Sequence, residues 1–316
     1  MADVEYKQDI FKSSAKACAT SANLAVGFDA LGLALEAPYD VVHLERRSDA
    51  KVRITQIQGQ DAARLPKDPS DNVASAVLIK LIDDYQLPYG VDISIEKGIA
   101  LGSGMGGSAA SAVAALVAFN HLLREPLSEK VLFDYACYGE KVASGAAHGD
   151  NVLPCLLGGL CIMDPQAQQW YRKIKVPAWS VTLVHPEIQL ETKAARAALD
   201  QSYSMDQMAE YGAKFAGFLY ALEHQDVGLI QAVARKSFFD PSRAHFIPGF
   251  KDISCIAYEH GAMMCCISGS GPSVFALSEN PSPKMGQEMQ KVFSDQGLGA
   301  CVYSGAINQN GAAIIS

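Results

Sequence analysis

A chain of 316 residues, 49% of them apolar, can bury a sizeable core and points to about two domains. Lys and Arg number 26 against 34 Asp and Glu, for a net charge of −8, and no basic tract extends beyond Arg46-Arg47. That balance argues against a nucleic-acid partner. The polar start MADVEYKQDIFK excludes a secretory signal, and the longest apolar run, Ala109–Leu123, is broken by Ser111, Asn120 and His121, short of a membrane span.

YDVVHLE (39–45) and KVRITQI (51–57) are β-rich, and the second alternates as a half-buried strand does. Asp71-Asn72 offers a cap for a helix through VASAVLIKLIDDY, and VDISIEK (91–97) alternates again. The glycine-rich GSGMGGSAAS (102–111) follows and leads into SAASAVAALVAFNHLL, apolar on nearly every face and so a buried helix. Ser128 opens a further helix that ends near Gly145. The polar stretch PQAQQWYRKIKVPAW marks a boundary near 170–178 and divides the chain into 1–172 and 173–316. Beyond it, SVTLVHPEI predicts a strand, and ETKAARAAL, Met205–His224 and Val227–Phe239 predict helices. AMMCCIS predicts a strand entering a second glycine-rich turn, GSGPS, with VFALSE after it. Strands and helices alternate without the regular beat of a doubly wound sheet, so the expected class is α+β in two domains.

The eight cysteines are scattered without a C-x-x-C pair. They predict small buried side chains in a reducing cytoplasm, not a disulfide framework or a zinc site.

Four glycines within 102–107 are costly to order, and a turn of this kind between a strand and a buried helix suits an anion. Its backbone N–H groups and the helix's positive end can converge on a phosphate. The alternative is a tight turn with Ser108 as helix cap. No G-K-[ST] follows, so this is no Walker A loop, and the G-x-G-x-x-G order of a first Rossmann turn is missing.

ALGSGMGGSAAS (100–111) resembles the central P-x-x-x-G-L-G-S-S-A-A motif of the GHMP kinases, which phosphorylate small alcohols. ATSANLAVGFDALGLAL (19–35) and ISGSGPSVFAL (267–277) resemble that family's first and last motifs, in the same order. YGEKVASGAAHGDNVLPCLLGG (138–159), ETKAAR (191–196) and RAHFIPGF (243–250) resemble the branch that acts on homoserine. Three positions depart from the pattern: Gly107 stands for the motif's first serine, Ala100 near its proline, and Cys18 where proline is common.

The resemblance implies a two-domain α+β fold. The first domain would be like the second domain of a small-subunit ribosomal protein, the second ferredoxin-like, with the active site between them. It implies ATP and Mg2+, L-homoserine as substrate, a cytoplasmic location and a homodimer. Phosphates would rest on Gly102, Ser103, Gly104, Met105, Gly106, Gly107 and Ser108. Ser108 and Glu140 would hold magnesium, and Asp71, Asn72 and Val73 would lie near the base. Homoserine carries a carboxylate, an ammonium and a hydroxyl, so its site needs charge of both signs. Arg196 and Arg243 match the carboxylate-binding positions, where a planar guanidinium can bind bidentately. Asp29 and Asp150 would take the ammonium, Asn23 and Asn151 would position the hydroxyl, and His148 would lie beside it.

Each of these residues also has a plain structural reading. Arg196 and Glu140 could be solvated helix-surface charges and Arg243 an exposed loop cation. Asp29 and Asn23 could be turn residues, and His148 a structural histidine. Several relatives pair an aspartate base with an N-terminal lysine. Lys16 stands near that place, but the homoserine branch does not rely on such a pair. The expected chemistry is in-line transfer without a strong base, Asn151 holding the hydroxyl, with Asp150 as the rival base. A kinase for another alcohol and a catalytically silent binder on the same scaffold are the competing readings. The final turn, Ser268–Ser273, is expected to shape the pocket, with phosphate contact from it as the weaker alternative.

Overall fold

In the computed structural model, residues 5–145, 147–166, 169–199 and 202–315 are described. The first part runs β1 (Lys12–Asn23), β2 (Gly27–Arg46), β3 (Val52–Gly59), α1 (Val73–Asp84), β4 (Val91–Lys97), α2 (Gly107–Leu122), α3 (Glu129–Ser144), α4 (Val152–Leu157), β5 (Leu160–Met163) and β6 (Tyr171–Ile174). The second runs β7 (Ser180–Pro186), α5 (Thr192–Ala197), α6 (Met205–His224), α7 (Val227–Ala234), α8 (Asp240–Arg243), α9 (Phe250–Glu259), β8 (Ala262–Ile267), β9 (Val274–Ser278), α10 (Pro283–Ser294), β10 (Ala300–Ala306) and β11 (Ala313–Ile315).

Strands β11-β1-β2-β4-β3 form one sheet in that order, extended by β5 on β2 and β6 on β5. Only β3 and β4 pair in parallel, while the other pairs of this sheet are antiparallel. The alternation of VDISIEK is met in β4, whose Val91, Ile93 and Ile95 are buried. β1 alternates only over Lys12–Ala17 and is buried without interruption from Ala17 to Asn23, so its half nearest the site carries no period-two signal. α2 is apolar all round because it is enclosed: it packs against β1, β2, α1 and α3. Asn72 caps α1 by accepting from the Ala74 N–H, and Ser128 caps α3 through the Val131 N–H.

The second sheet is antiparallel in the order β10-β7-β9-β8, the β–α–β–β–α–β plan of ferredoxin-like domains. The expected boundary at 172/173 falls inside β6, which stays in the first sheet, and the chain returns to that sheet as β11. α7 stops at Ala234, short of the expected Phe239. Ser237 there turns its hydroxyl to the Ala25 carbonyl, and Phe238 and Phe239 enter an aromatic cluster with Tyr203, Tyr211 and Phe28.

Candidate active site

The two parts meet around a cavity of about 280 Å3 lined by residues 101–104 and 106–108 of the glycine-rich loop. Asn23, Asp29, Glu140, His148, Asp150, Asn151, Arg196 and Arg243 also line it. Residues far apart in the chain thus share one hollow, as the motif reading expects. Lys16 is outside it, exposed on β1 with its ammonium over the Tyr39 ring.

The loop is held at its base by a buried ion pair. Lys97 and Asp40 have side-chain exposures of 2% and 0%, and the Lys97 ammonium bonds the Asp40 carboxylate directly. The same ammonium donates to the Gly107 carbonyl at 3.0 Å and to Ser111 Oγ at 2.9 Å. Asp40 in turn accepts from the Gly98 and Ile99 N–H groups and from Ser111. One charge pair therefore pins both the entry and the exit of the loop. Gly107 has a local reason as well: a Cβ there would lie 3.1 Å from Ile99 Cγ2, so a serine would have to push that buried side chain aside.

The second glycine-rich turn holds the loop from the other side. Ser268 Oγ donates to the Gly104 carbonyl at 2.8 Å, and Ser273 Oγ donates to the Ser103 carbonyl at 2.7 Å. A hydroxyl has one proton to give, so His185 Nδ1, 3.0 Å from Ser273 Oγ, must be the donor of that contact. The expectation that this turn shapes the pocket is consistent with these bonds.

At the loop's helix end, Ser108 stands beside Glu140, which is buried on α3 and is no solvated helix charge; burial raises the carboxyl's pKa by more than this hydroxyl lowers it. Glu140 Oε1 has no hydrogen-bond partner, and burial pushes the carboxyl up to about 7. Among the described residues no cluster of three or more His, Cys, Asp or Glu could hold a metal. An orphaned carboxylate oxygen beside a hydroxyl still fits magnesium, which takes few protein oxygens and keeps waters and phosphates as its other ligands.

At the far end, Arg196 makes a two-point bond to Asp29, at 2.7 and 2.9 Å, while stacking over the Phe28 ring. His148 Nδ1 lies 4.0 Å from the same carboxylate, and burial lowers its pKa. Asn23 is a tie between segments: its amide nitrogen donates to the Gly269 carbonyl and its oxygen accepts from the Asp29 N–H. Each end keeps one further hydrogen-bonding position, a lone pair on the oxygen and an N–H on the nitrogen, beside the cavity that Asn23 lines. Asn23, Leu24 and Ala25 all have left-handed backbones, at φ 73°, 46° and 62°. Each costs on the order of 1 kcal/mol, strain held in place by packing around the site.

Arg243 is 3% exposed, which overturns the solvent-exposed reading. It donates to the Gly269 carbonyl at 2.8 Å and to Asp240 at 2.9 Å, and its Nε has no partner. Two of the residues expected at the nucleotide direct their side chains away from this cavity. Asn72 does not line the cavity; its side chain is spent on the cap of α1 and on the Pro66 carbonyl. Met105 has its side chain wholly in the core, and its carbonyl accepts from the Thr20 N–H; the phosphate expectation concerns its backbone N–H, which these contacts do not engage. Thr20 was not singled out from the sequence, because a threonine in a buried strand carries no local signal.

Asp150 is buried, and burial, with Asp29 and Glu140 nearby, raises its carboxyl to about 7. Its ordinary value is near 4. The folded protein therefore holds a proton there that the unfolded chain has lost by pH ~6, and the stabilisation present at low pH disappears as pH rises through ~7. From pH 6 to 8 the ligand-free protein should lose about 1 kcal/mol through this group. Asp150→Asn should lose correspondingly less in thermal unfolding at the two pH values, and an unchanged pH dependence in the variant would contradict the assignment.

A glycine-rich helix entrance, a cation-ready carboxylate and a facing set of paired charges define a phosphotransferase site for a small charged molecule. The chain matches the family described as "GHMP kinases N terminal domain" over residues 72–159 and "GHMP kinases C terminal" over 218–295, and it belongs to that family. It is 40% identical over 310 residues to the homoserine kinase of Xanthomonas campestris, covering 96% of this chain and 94% of the relative. It is 43% identical over 274 residues to the homoserine kinase of Xylella fastidiosa, covering 86% and 83%. The solved structure of homoserine kinase from Cytophaga hutchinsonii superposes with a TM-score of 0.92 at 36% identity, over 98% of this chain and 99% of that one. Within the family the chain falls among the homoserine kinases.

Proposed function

We propose that this protein transfers the γ-phosphoryl group of ATP to the side-chain hydroxyl of L-homoserine, giving O-phospho-L-homoserine and ADP on the route to threonine. The observation that carries this reading is the charge pattern of the cavity between the two parts. Asp29 and Arg196 face one another at one end, with Arg243 beside them, while the glycine-rich loop, Ser108 and Glu140 form the other. An amino-acid alcohol presents the matching charges: its ammonium exchanges for Arg196 at Asp29, with Asp150 nearby, and its carboxylate takes the arginines. A sugar or an isoprenoid acid would leave at least one of those charges without a partner.

The hydroxyl oxygen forms the new bond to the γ-phosphorus as the bond to the β–γ bridging oxygen breaks. Ser108 and Glu140 would hold a magnesium ion, whose chemistry there is to offset phosphate charge. The loop N–H groups and the start of α2 orient the phosphates, and the catalysis is mainly positioning. Asn151 orients the hydroxyl, whose proton leaves to a phosphate oxygen or to Asp150. The latter route is favoured by the Asp150 carboxyl standing near 7 and by its place next to the Asn151 amide. The family resemblance adds a cytoplasmic homodimer to this reading. Among the described residues no helix is long and apolar enough to cross a membrane.

The test is ADP release with MgATP and, in turn, L-homoserine, mevalonate, galactose and L-serine. Selective turnover of homoserine is expected. Selective turnover of mevalonate or galactose would overturn the assignment of the arginines, and ATP binding without turnover of any alcohol would favour the silent binder.

A further inference from the structure

Thr20 is fully buried on β1 and does not line the cavity, yet it meets three parts of the site. Its N–H donates to the Met105 carbonyl in the glycine-rich loop at 3.0 Å. Its hydroxyl donates to Asn151 Oδ1 at 2.8 Å. Gly106, the left-handed residue that starts α2 at φ 65°, passes so close that a Cβ there would lie 2.2 Å from Thr20 Oγ1 and 2.9 Å from Asn151 Oδ1. Loop, threonine and asparagine are thus packed without a gap.

Asn151 stands at the start of α4, where an asparagine would ordinarily cap the helix with its side-chain oxygen. It makes no such bond. Its oxygen is engaged by Thr20, and its nitrogen is left toward Asp150 Oδ1, 3.4 Å away, on the cavity side. A primary amide has two distinct ends: the NH2 group faces the Asp150 carboxyl oxygen, and the oxygen is left for the Thr20 hydroxyl to donate to.

We propose that Thr20 is a positioning residue that fixes the Asn151 amide with its NH2 group toward the substrate hydroxyl. Asn151 then donates to the hydroxyl oxygen and does not accept its proton, so one lone pair is held and the proton is left facing another acceptor. The inference rests on the phosphoryl-transfer reading for its kinetic consequence, but the amide orientation stands on its two contacts, with the Thr20 hydroxyl and the Asp150 carboxyl.

Thr20→Val keeps the side chain's shape and removes the donor. With homoserine it should lower kcat on the order of 10- to 100-fold, as expected when a reacting group is misplaced slightly, and leave both KM values within about threefold. Thr20→Ser restores the hydroxyl and should recover most of kcat. In an Asn151→Ala background Thr20→Val should add no further loss, because the threonine acts only through the amide. Wild-type kcat in Thr20→Val, or an undiminished loss in the Asn151→Ala background, would overturn the proposal. Side-chain amide NMR separates this from the function reading: the Asn151 NH2 resonances should shift in Thr20→Val and not in Thr20→Ser. If the wild type does not turn over homoserine, the function reading fails, while unshifted resonances overturn the Thr20 inference.

Discussion

Replacing Lys97 by methionine should destabilise the protein by about 3 kcal/mol or more, because Asp40 is then left as a buried charge without a counterion. The loss belongs at the low end of the range for broken buried pairs, since Asp40 keeps the Gly98 and Ile99 N–H groups and the Ser111 hydroxyl as donors. The same change releases the Gly107 carbonyl and loosens the exit of the loop, so KM for ATP should rise more than KM for homoserine. Neutralising the partner as well, in Asp40→Asn/Lys97→Met, should recover part of the stability, because no unpaired charge remains. Denaturant unfolding of the two variants decides the matter. A single variant within about 1 kcal/mol of wild type would show that the ion pair does not hold the loop.

Arg243→Ala should raise KM for homoserine by about 30-fold or more, corresponding to ~2 kcal/mol for truncating one partner of a desolvated charge interaction. Arg243 already gives one N–H to Gly269 and one to Asp240, and the guanidinium keeps further N–H donors at the cavity for a substrate carboxylate. KM for ATP should change by less than about threefold, since the guanidinium bonds Gly269 and Asp240 and not the glycine-rich loop. Arg196→Ala provides the contrast. Its side chain is 43% exposed and its bond to Asp29 is a partly solvated pair, so it should cost homoserine affinity with less than about 1 kcal/mol of stability. Arg243→Ala should cost both, because buried Asp240 loses its counterion; steady-state kinetics beside thermal unfolding measures the difference. Unchanged homoserine KM in Arg243→Ala would remove this arginine from the substrate site.

The sequence by itself determined the features whose causes are local. A run of glycines leading into an apolar helix specifies an anion-ready loop, because backbone freedom and helix polarity are properties of adjacent residues. Alternation at 91–97 specifies a half-buried strand, and Asn72 and Ser128 announce the starts of α1 and α3. The family motifs added residues that chemistry alone could not pair, and Glu140, Asp29, Arg196 and Arg243 do share one cavity. Only the tertiary structure decided what each of them touches. Asp29 and Arg196 lie 167 positions apart, and their bond depends on how the second domain's α5 is carried over the first sheet. Arg243 reads as a loop cation beside Pro241, yet it is buried because α8 is covered on the side of Gly269 and Ile267. Lys97 closes a strand of ordinary pattern, and Thr20 sits in the uninterrupted buried half of β1. Their roles come from Asp40 and Asn151, 57 and 131 positions away. Conformational preferences act over a few residues and can be read in a window of that size, whereas the partner of a buried polar group is chosen by the path of the whole chain.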